Sequence, residues 1–261
     1  MSSLSEQVIL ITGASAGIGA AVAELLAQKF MGIHLVLAAR NVEKLENVAN
    51  ICQKAGAEVL VVPTDLEKIE QVEALAEKVL AHFGRVDALI NNAGYGQMGP
   101  VELIPAAAAQ RQFQVNLLAP LALIRAIIPK MREQGEGRII NISSLGGRLA
   151  FPFGGLYSSS KFALEGLSDA LRMELKPFNI KVSLIEPGPV STDFFAVVAD
   201  AVAENIPAPE NTPYRAAFEK LKGLENQTKN QAWTSQRVAQ VVVQALCDRH
   251  PRPRYIAANT K

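Results

Sequence analysis

Short runs of unbroken apolar residues alternate with helix-length segments along almost the whole chain, and this alternation restricts the fold more than any single motif does. Val8-Ile9-Leu10-Ile11 is the first such run, and the spacing of Ile18, Val22, Leu25 and Leu26 predicts a helix over 17–30 directly after it. Further strands are expected at 33–38, 58–62, 86–90, 138–142, 180–185 and 254–257, with helices over 42–55, 67–83, 105–132, 155–176 and 234–248. A strand wetted on one face alternates polar with apolar residues. These runs are apolar on both faces, so both faces are covered. The expected fold class is therefore α/β, a Rossmann-like doubly wound parallel sheet of about seven strands with helices on both faces. Residues 1–261 read as one domain, with 191–232, rich in Ala, Pro and Asn and weakly helical around 193–203 and 213–225, as a mobile insertion over the site.

Composition narrows the function classes. With 26 basic and 25 acidic residues the net charge is +1, so no global field favours nucleic acid or an anionic membrane. Cys52 and Cys247 are the two cysteines, far apart and without metal-ligand spacing, and His34, His82 and His250 share no such spacing either; no metal is expected. Arg125 interrupts the most apolar stretch near 117–128, so no transmembrane segment is expected, and without a signal-like start the expected location is cytoplasmic.

Ligands of doubly wound sheets bind beyond the carboxyl ends of the strands, and the chemistry-bearing residues sit there. Gly13, Ser15, Gly17, Ile18 and Gly19 form a glycine-rich turn between the first strand and the first helix, spaced G-x-x-x-G-x-G, which lets the backbone approach a pyrophosphate. The second strand ends Ala38-Ala39-Arg40, with no carboxylate to bind ribose hydroxyls or repel a 2′-phosphate and with a guanidinium able to pair with that phosphate. NADP(H) is thus the preferred cofactor, with NAD(H) as the alternative. Asp65, followed by Leu66, is placed either to accept from an adenine amino group or to cap the next helix. Asn92, Ala93 and Gly94 follow the fourth strand, where small residues permit close approach.

Tyr157 and Lys161 stand four residues apart and so share a helix face. A free phenol has a pKa near 10, too high for proton exchange at neutral pH, and a neighbouring ammonium is expected to lower it. Ser144, 13 residues earlier and just past the fifth strand, offers a hydroxyl for a substrate carbonyl or an alkoxide. Ser143 beside it reads as backbone-bonded, and Trp233 as a packing anchor at the start of the late helix.

In order and spacing over residues 7–192, these features resemble the short-chain dehydrogenase/reductase superfamily, in its compact single-domain branch. The resemblance implies that Tyr157 is the general acid in carbonyl reduction and the base in alcohol oxidation, that Lys161 also binds the nicotinamide ribose, and that Ser144 orients the reacting oxygen. It further implies that Asn116 holds a water linking Lys161 to solvent, and that Pro187, Gly188, Val190 and Thr192 wrap the nicotinamide carboxamide. A homodimer or homotetramer paired through the helices at 105–132 and 155–176 is the expected assembly. The partner is a small carbonyl or alcohol. Leu145, Leu149, Phe151, Phe153, Phe194, Phe195 and Phe218 are expected to line its pocket, which favours an apolar one. Competing readings are an NAD-dependent alcohol dehydrogenase of the same family, an epimerase or dehydratase, for which too little chain follows residue 192, and a non-catalytic NADP(H)-binding regulator.

Overall fold

The computed structural model describes residues 4–219 and 232–259. Its strands are β1 Val8–Thr12, β2 His34–Ala39, β3 Glu58–Pro63, β4 Ala88–Asn91, β5 Gly137–Ile142, β6 Ile180–Pro187, β7 Val190–Ser191, β8 Trp233–Thr234 and β9 Arg254–Ala257. Its helices are α1 Gly17–Lys29, α2 Val42–Lys54, α3 Ile69–Phe83, α4 Ala106–Phe113, α5 Ala119–Gln134, α6 Gly155–Leu175, α7 Phe194–Asn205 and α8 Ser235–Cys247. Seven strands form one parallel sheet in the order β3-β2-β1-β4-β5-β6-β9. The chain winds outward from β1 in one direction, returns, and winds the other way from β4. The switch point between β1 and β4 is where a crevice must open.

β1 shows why its apolar run is unbroken: all five residues are buried. Ile9 and Ile11 face the layer formed by α1, α2 and α8, with Leu26, Leu45 and Val242. Val8 and Leu10 face the opposite layer of α3, α5 and α6, with Leu75, Leu123 and Leu171. Each fully buried Leu or Ile side chain contributes roughly 1.5–3 kcal/mol, so the two layers supply the main driving force for closing the sheet. The strand is also pinned electrostatically. Buried Asp87 accepts from the Val8 amide at 2.8 Å and is held by Arg85.

The structure departs from the sequence expectations in two places. The single helix expected over 105–132 is interrupted by a π-helical turn, Gln114–Leu118, between α4 and α5. Taken together, 106–134 is long and apolar enough on length and composition to cross a membrane, but Leu123, Ile124, Ile127 and Met131 are fully buried against the sheet. Trp233 does not start the late helix: it lies in β8, paired with Val190 of β7, with Arg237 stacked 3.7 Å over its ring. Residues 220–231 of the expected insertion, including part of its second helical piece, lie outside the described residues.

Candidate active site

At the switch point lies a groove of about 430 Å³ lined by Gly13, Ser15, Gly17, Ile18, Arg40, Asp65, Leu66, Asn92, Ala93, Gly94 and Thr192 among others. Its floor is built by the β1–α1 turn. Gly13 has φ +67°, and a Cβ on Gly19 would stand 2.3 Å from the Gly13 carbonyl oxygen, so α1 reaches this position only because residue 19 has no side chain. Ala16 precedes α1 and offers no side-chain cap, which leaves the first-turn amides for an anion. The other wall is tied to this turn. Thr12 Oγ1 accepts from the amides of Asn92 and Ala93, and Asn92 Nδ2 donates to the Thr12 and Gly13 carbonyls at 2.9 and 3.2 Å. Asn92 therefore clamps the crevice with its side-chain amide, while its neighbour Asn91 faces inward to Asn141.

At the far end of the groove Arg40 follows β2, whose own end carries no carboxylate, as the sequence reads. A carboxylate reaches it from elsewhere: Glu67, from the turn after β3, places Oε1 3.6 Å from Arg40 Nη1. Neighbouring strand tips bring the two together, since Ala39 pairs with Pro63. Lys44 of α2 lines the same end and lies 3.9 Å from Asp193. Asp65 is not the cap of α3, whose N-cap residue is Lys68; its Oδ1 instead accepts from the Glu67 amide at 3.1 Å.

The chemical end is deeper. Tyr157 in the first turn of α6 is 8% exposed, and its ring edge and Ser144 Oγ meet over Gly146, where a Cβ would stand 3.2 and 3.4 Å from them. Ser144 caps the short turn after β5 by accepting from the Gly146 amide at 3.0 Å, which fixes its hydroxyl. Lys161, one turn along, is buried, donates to the Ile142 carbonyl at 2.9 Å, and has its ammonium 6.0 Å from the Tyr157 ring centre. Burial brings its pKa down to about 8, partly opposed by Glu165. Burial likewise raises the Tyr157 phenol, and the opposing group is Ser144. The expectation that Lys161 lowers the phenol is therefore corrected for this geometry. Desolvation of the buried phenol is the largest influence on it, and the net shift is upward.

Asn116 occupies the π turn, where the wider helical winding frees it to hold the 94–96 segment. Its Oδ1 accepts from the Tyr95 amide at 3.1 Å, and its Nδ2 donates to the Tyr95 carbonyl at 2.9 Å and to Ser160 Oγ at 3.1 Å. A Cβ on Gly94 would stand 3.1 Å from Asn116 Oδ1 and 3.4 Å from Lys161 Nζ, so the residue between them must be small. Pro187 ends β6, Gly188 donates to the Ala257 carbonyl, Val190 is buried in β7, and Thr192 returns the chain to the groove.

α7 closes the site from above. The Phe194 ring meets the Tyr157 ring edge-on at 5.6 Å, and Phe195 meets Phe194 at 5.8 Å. Phe153 meets Phe218 at 6.3 Å and Tyr214 at 5.9 Å. Leu149, expected in this lining, is 71% exposed. Sequence reasoning missed a buried amide chain in which Asn205 donates to Gln97, the Gln97 amide donates to Gln112, and Gln112 donates to the Tyr95 carbonyl. Gln112 lies one turn before Asn116, and that spacing was the available signal. Ser143, read as backbone-bonded, donates its amide to the Ile185 carbonyl but buries a hydroxyl without a partner among the described residues.

A family profile for short chain dehydrogenases matches residues 7–203. The chain is 34% identical to the ketoacyl reductase HetN of Nostoc sp. over 228 residues, 87% of this chain and 78% of that protein. It superposes on a metagenomic short-chain oxidoreductase in complex with NADP at TM-score 0.76 and 34% identity, covering 98% of both chains. A short chain dehydrogenase/reductase of Burkholderia phymatum in complex with NAD gives TM-score 0.85 and 31% identity, covering 98% of this chain and 90% of that one.

Proposed function

The chain belongs to the short-chain dehydrogenase family of oxidoreductases, and from that premise we propose that it transfers a hydride between NADP(H) and an apolar ketone, aldehyde or corresponding alcohol. The observation that carries the reading is the cluster of Ser144, Tyr157 and buried Lys161 behind Gly94 and Phe194 of a groove with a glycine-built, uncapped helix start.

The groove residues fit a dinucleotide: the first-turn amides of α1 suit the pyrophosphate, and Arg40 with Lys44 suits a 2′-phosphate. When bound, the nicotinamide supplies or accepts the hydride. This chain's residues do the rest. Ser144 holds the carbonyl oxygen, and Tyr157 gives it a proton as negative charge develops there. A phenol raised by burial is held in its protonated form, which suits the reductive direction. Lys161 places a positive charge behind the phenol and supports its conjugate base once the proton has left. Asn116 fixes the backbone of the 95 turn next to Lys161, along the route by which the proton is replaced. Phe194 and α7 exclude water from the phenol.

Because Lys161 titrates at about 8, its charge is present below that pH and is lost above it. The kcat/KM for carbonyl reduction is expected to fall above about pH 8, and Lys161→Met should remove that limb together with most activity. The half-exposed Leu118, just before α5, and Phe162 on α6 support pairing through these two helices. The direct test is turnover of NADPH against a panel of aromatic, long-chain and small polar carbonyls. Preference for the first two is expected. Turnover of small polar sugars alone would overturn the apolar assignment.

A further inference from the structure

We propose that Glu67 is a specificity-determining residue for the cofactor: it holds Arg40 and supplies, from the turn after β3, the carboxylate that the end of β2 lacks. The inference rests on reading the 430 Å³ groove as a nicotinamide dinucleotide site.

The position of Glu67 is built by the fold. β2 and β3 are neighbours in register, so the residues just past their carboxyl ends meet over the same end of the groove. Arg40 Nη1 and Glu67 Oε1 lie 3.6 Å apart there. Glu67 is the better anchored partner: its amide donates to Asp65 Oδ1 at 3.1 Å, and its side chain is 36% exposed against 69% for Arg40. Lys44, the other cation lining this end, faces Asp193 at 3.9 Å. Each cation that could meet a 2′-phosphate therefore already faces a carboxylate.

The two forms of the cofactor meet this arrangement differently. A 2′-phosphate carries close to two negative charges. To bind, it must draw Arg40 away from Glu67 and then remain near the Glu67 carboxylate. A ribose 2′-hydroxyl has no such conflict, because it can donate to Glu67. The residue thus narrows the preference for NADPH that Arg40 alone would create. Both side chains are partly solvated, so the effect is moderate: exposed ion pairs shift equilibria by a few-fold rather than by orders of magnitude.

The test is a fluorescence titration of NADPH and NADH into wild type, Glu67→Gln and Arg40→Gln at low salt and in about 0.5 M salt. Glutamine keeps the size and hydrogen-bonding capacity of residue 67 and removes its charge. Glu67→Gln is expected to tighten NADPH by about three- to tenfold and to leave NADH unchanged or weaker, with the gain shrinking at high salt. Arg40→Gln should weaken NADPH and spare NADH. If Glu67→Gln moves both dissociation constants by the same factor, or leaves their ratio within about twofold, the specificity role falls while the dinucleotide site stands. If wild type binds neither nucleotide, the groove assignment falls, and this inference with it.

Discussion

Replacing Tyr157 by Phe should lower kcat for carbonyl reduction by about 10²–10⁴-fold, the range expected when a positioned proton donor is removed. The same variant should keep its fold and its cofactor. Phenylalanine preserves the ring that packs edge-on against Phe194 at 5.6 Å, so the lid contact survives. What disappears is one buried hydroxyl beside Ser144, a loss of about 1 kcal/mol of stability at most. Steady-state kinetics combined with thermal unfolding in NADPH separates the two effects. The outcome expected is near-total loss of turnover with the cofactor-induced rise in melting temperature intact. A variant retaining activity within a few-fold would remove Tyr157 from the chemistry.

The second large effect concerns Gly19. Its substitution by Ala has two opposing terms. Alanine inside a helix gains up to about 1 kcal/mol over glycine from backbone entropy. Against this, the new Cβ would stand 2.3 Å from the Gly13 carbonyl oxygen and 2.6 Å from Asn92 Nδ2. The first obstacle is backbone, which cannot rotate away, and the second is the amide that clamps β1 to β4. Overpacking of this kind costs typically 1–3 kcal/mol, so the clash wins. It also displaces the loop that would cradle the pyrophosphate. Gly19→Ala should therefore unfold at a lower temperature and bind NADPH more than about tenfold more weakly. A Gly19→Ala protein as stable as wild type and binding NADPH as tightly would contradict the packing described here.

The parts of this site that could be read in the sequence are local ones. The glycine turn, the Tyr157–Lys161 spacing and the fully apolar β1 each depend on residues a few positions apart, whose geometry follows from helical or strand periodicity. The parts that could not be read depend on chain segments brought together by the sheet. Glu67 meets Arg40 across adjacent strand tips, 27 residues apart in sequence. β7 finds β8 across the segment that carries α7. Arg254 on β9 reaches Glu165 and Asp169 on α6. The π turn at Asn116 escaped for another reason: one extra residue in a helical turn leaves the apolar spacing around it almost unchanged, so periodicity reads straight through it. The direction of the Tyr157 shift was misjudged because spacing places Lys161 on the correct face without saying how deeply the fold buries the phenol.

The central claim is that a nicotinamide hydride and the Tyr157 proton are delivered to the same carbonyl. The most direct measurement uses NADPH carrying deuterium at the transferable position of its nicotinamide, with an apolar ketone that the enzyme turns over. One deuterium on the carbinol carbon of the product is expected for each cofactor oxidised, with negligible labelled product from Tyr157→Phe. Product formed without label at that carbon, or cofactor oxidation uncoupled from carbonyl reduction, would contradict it.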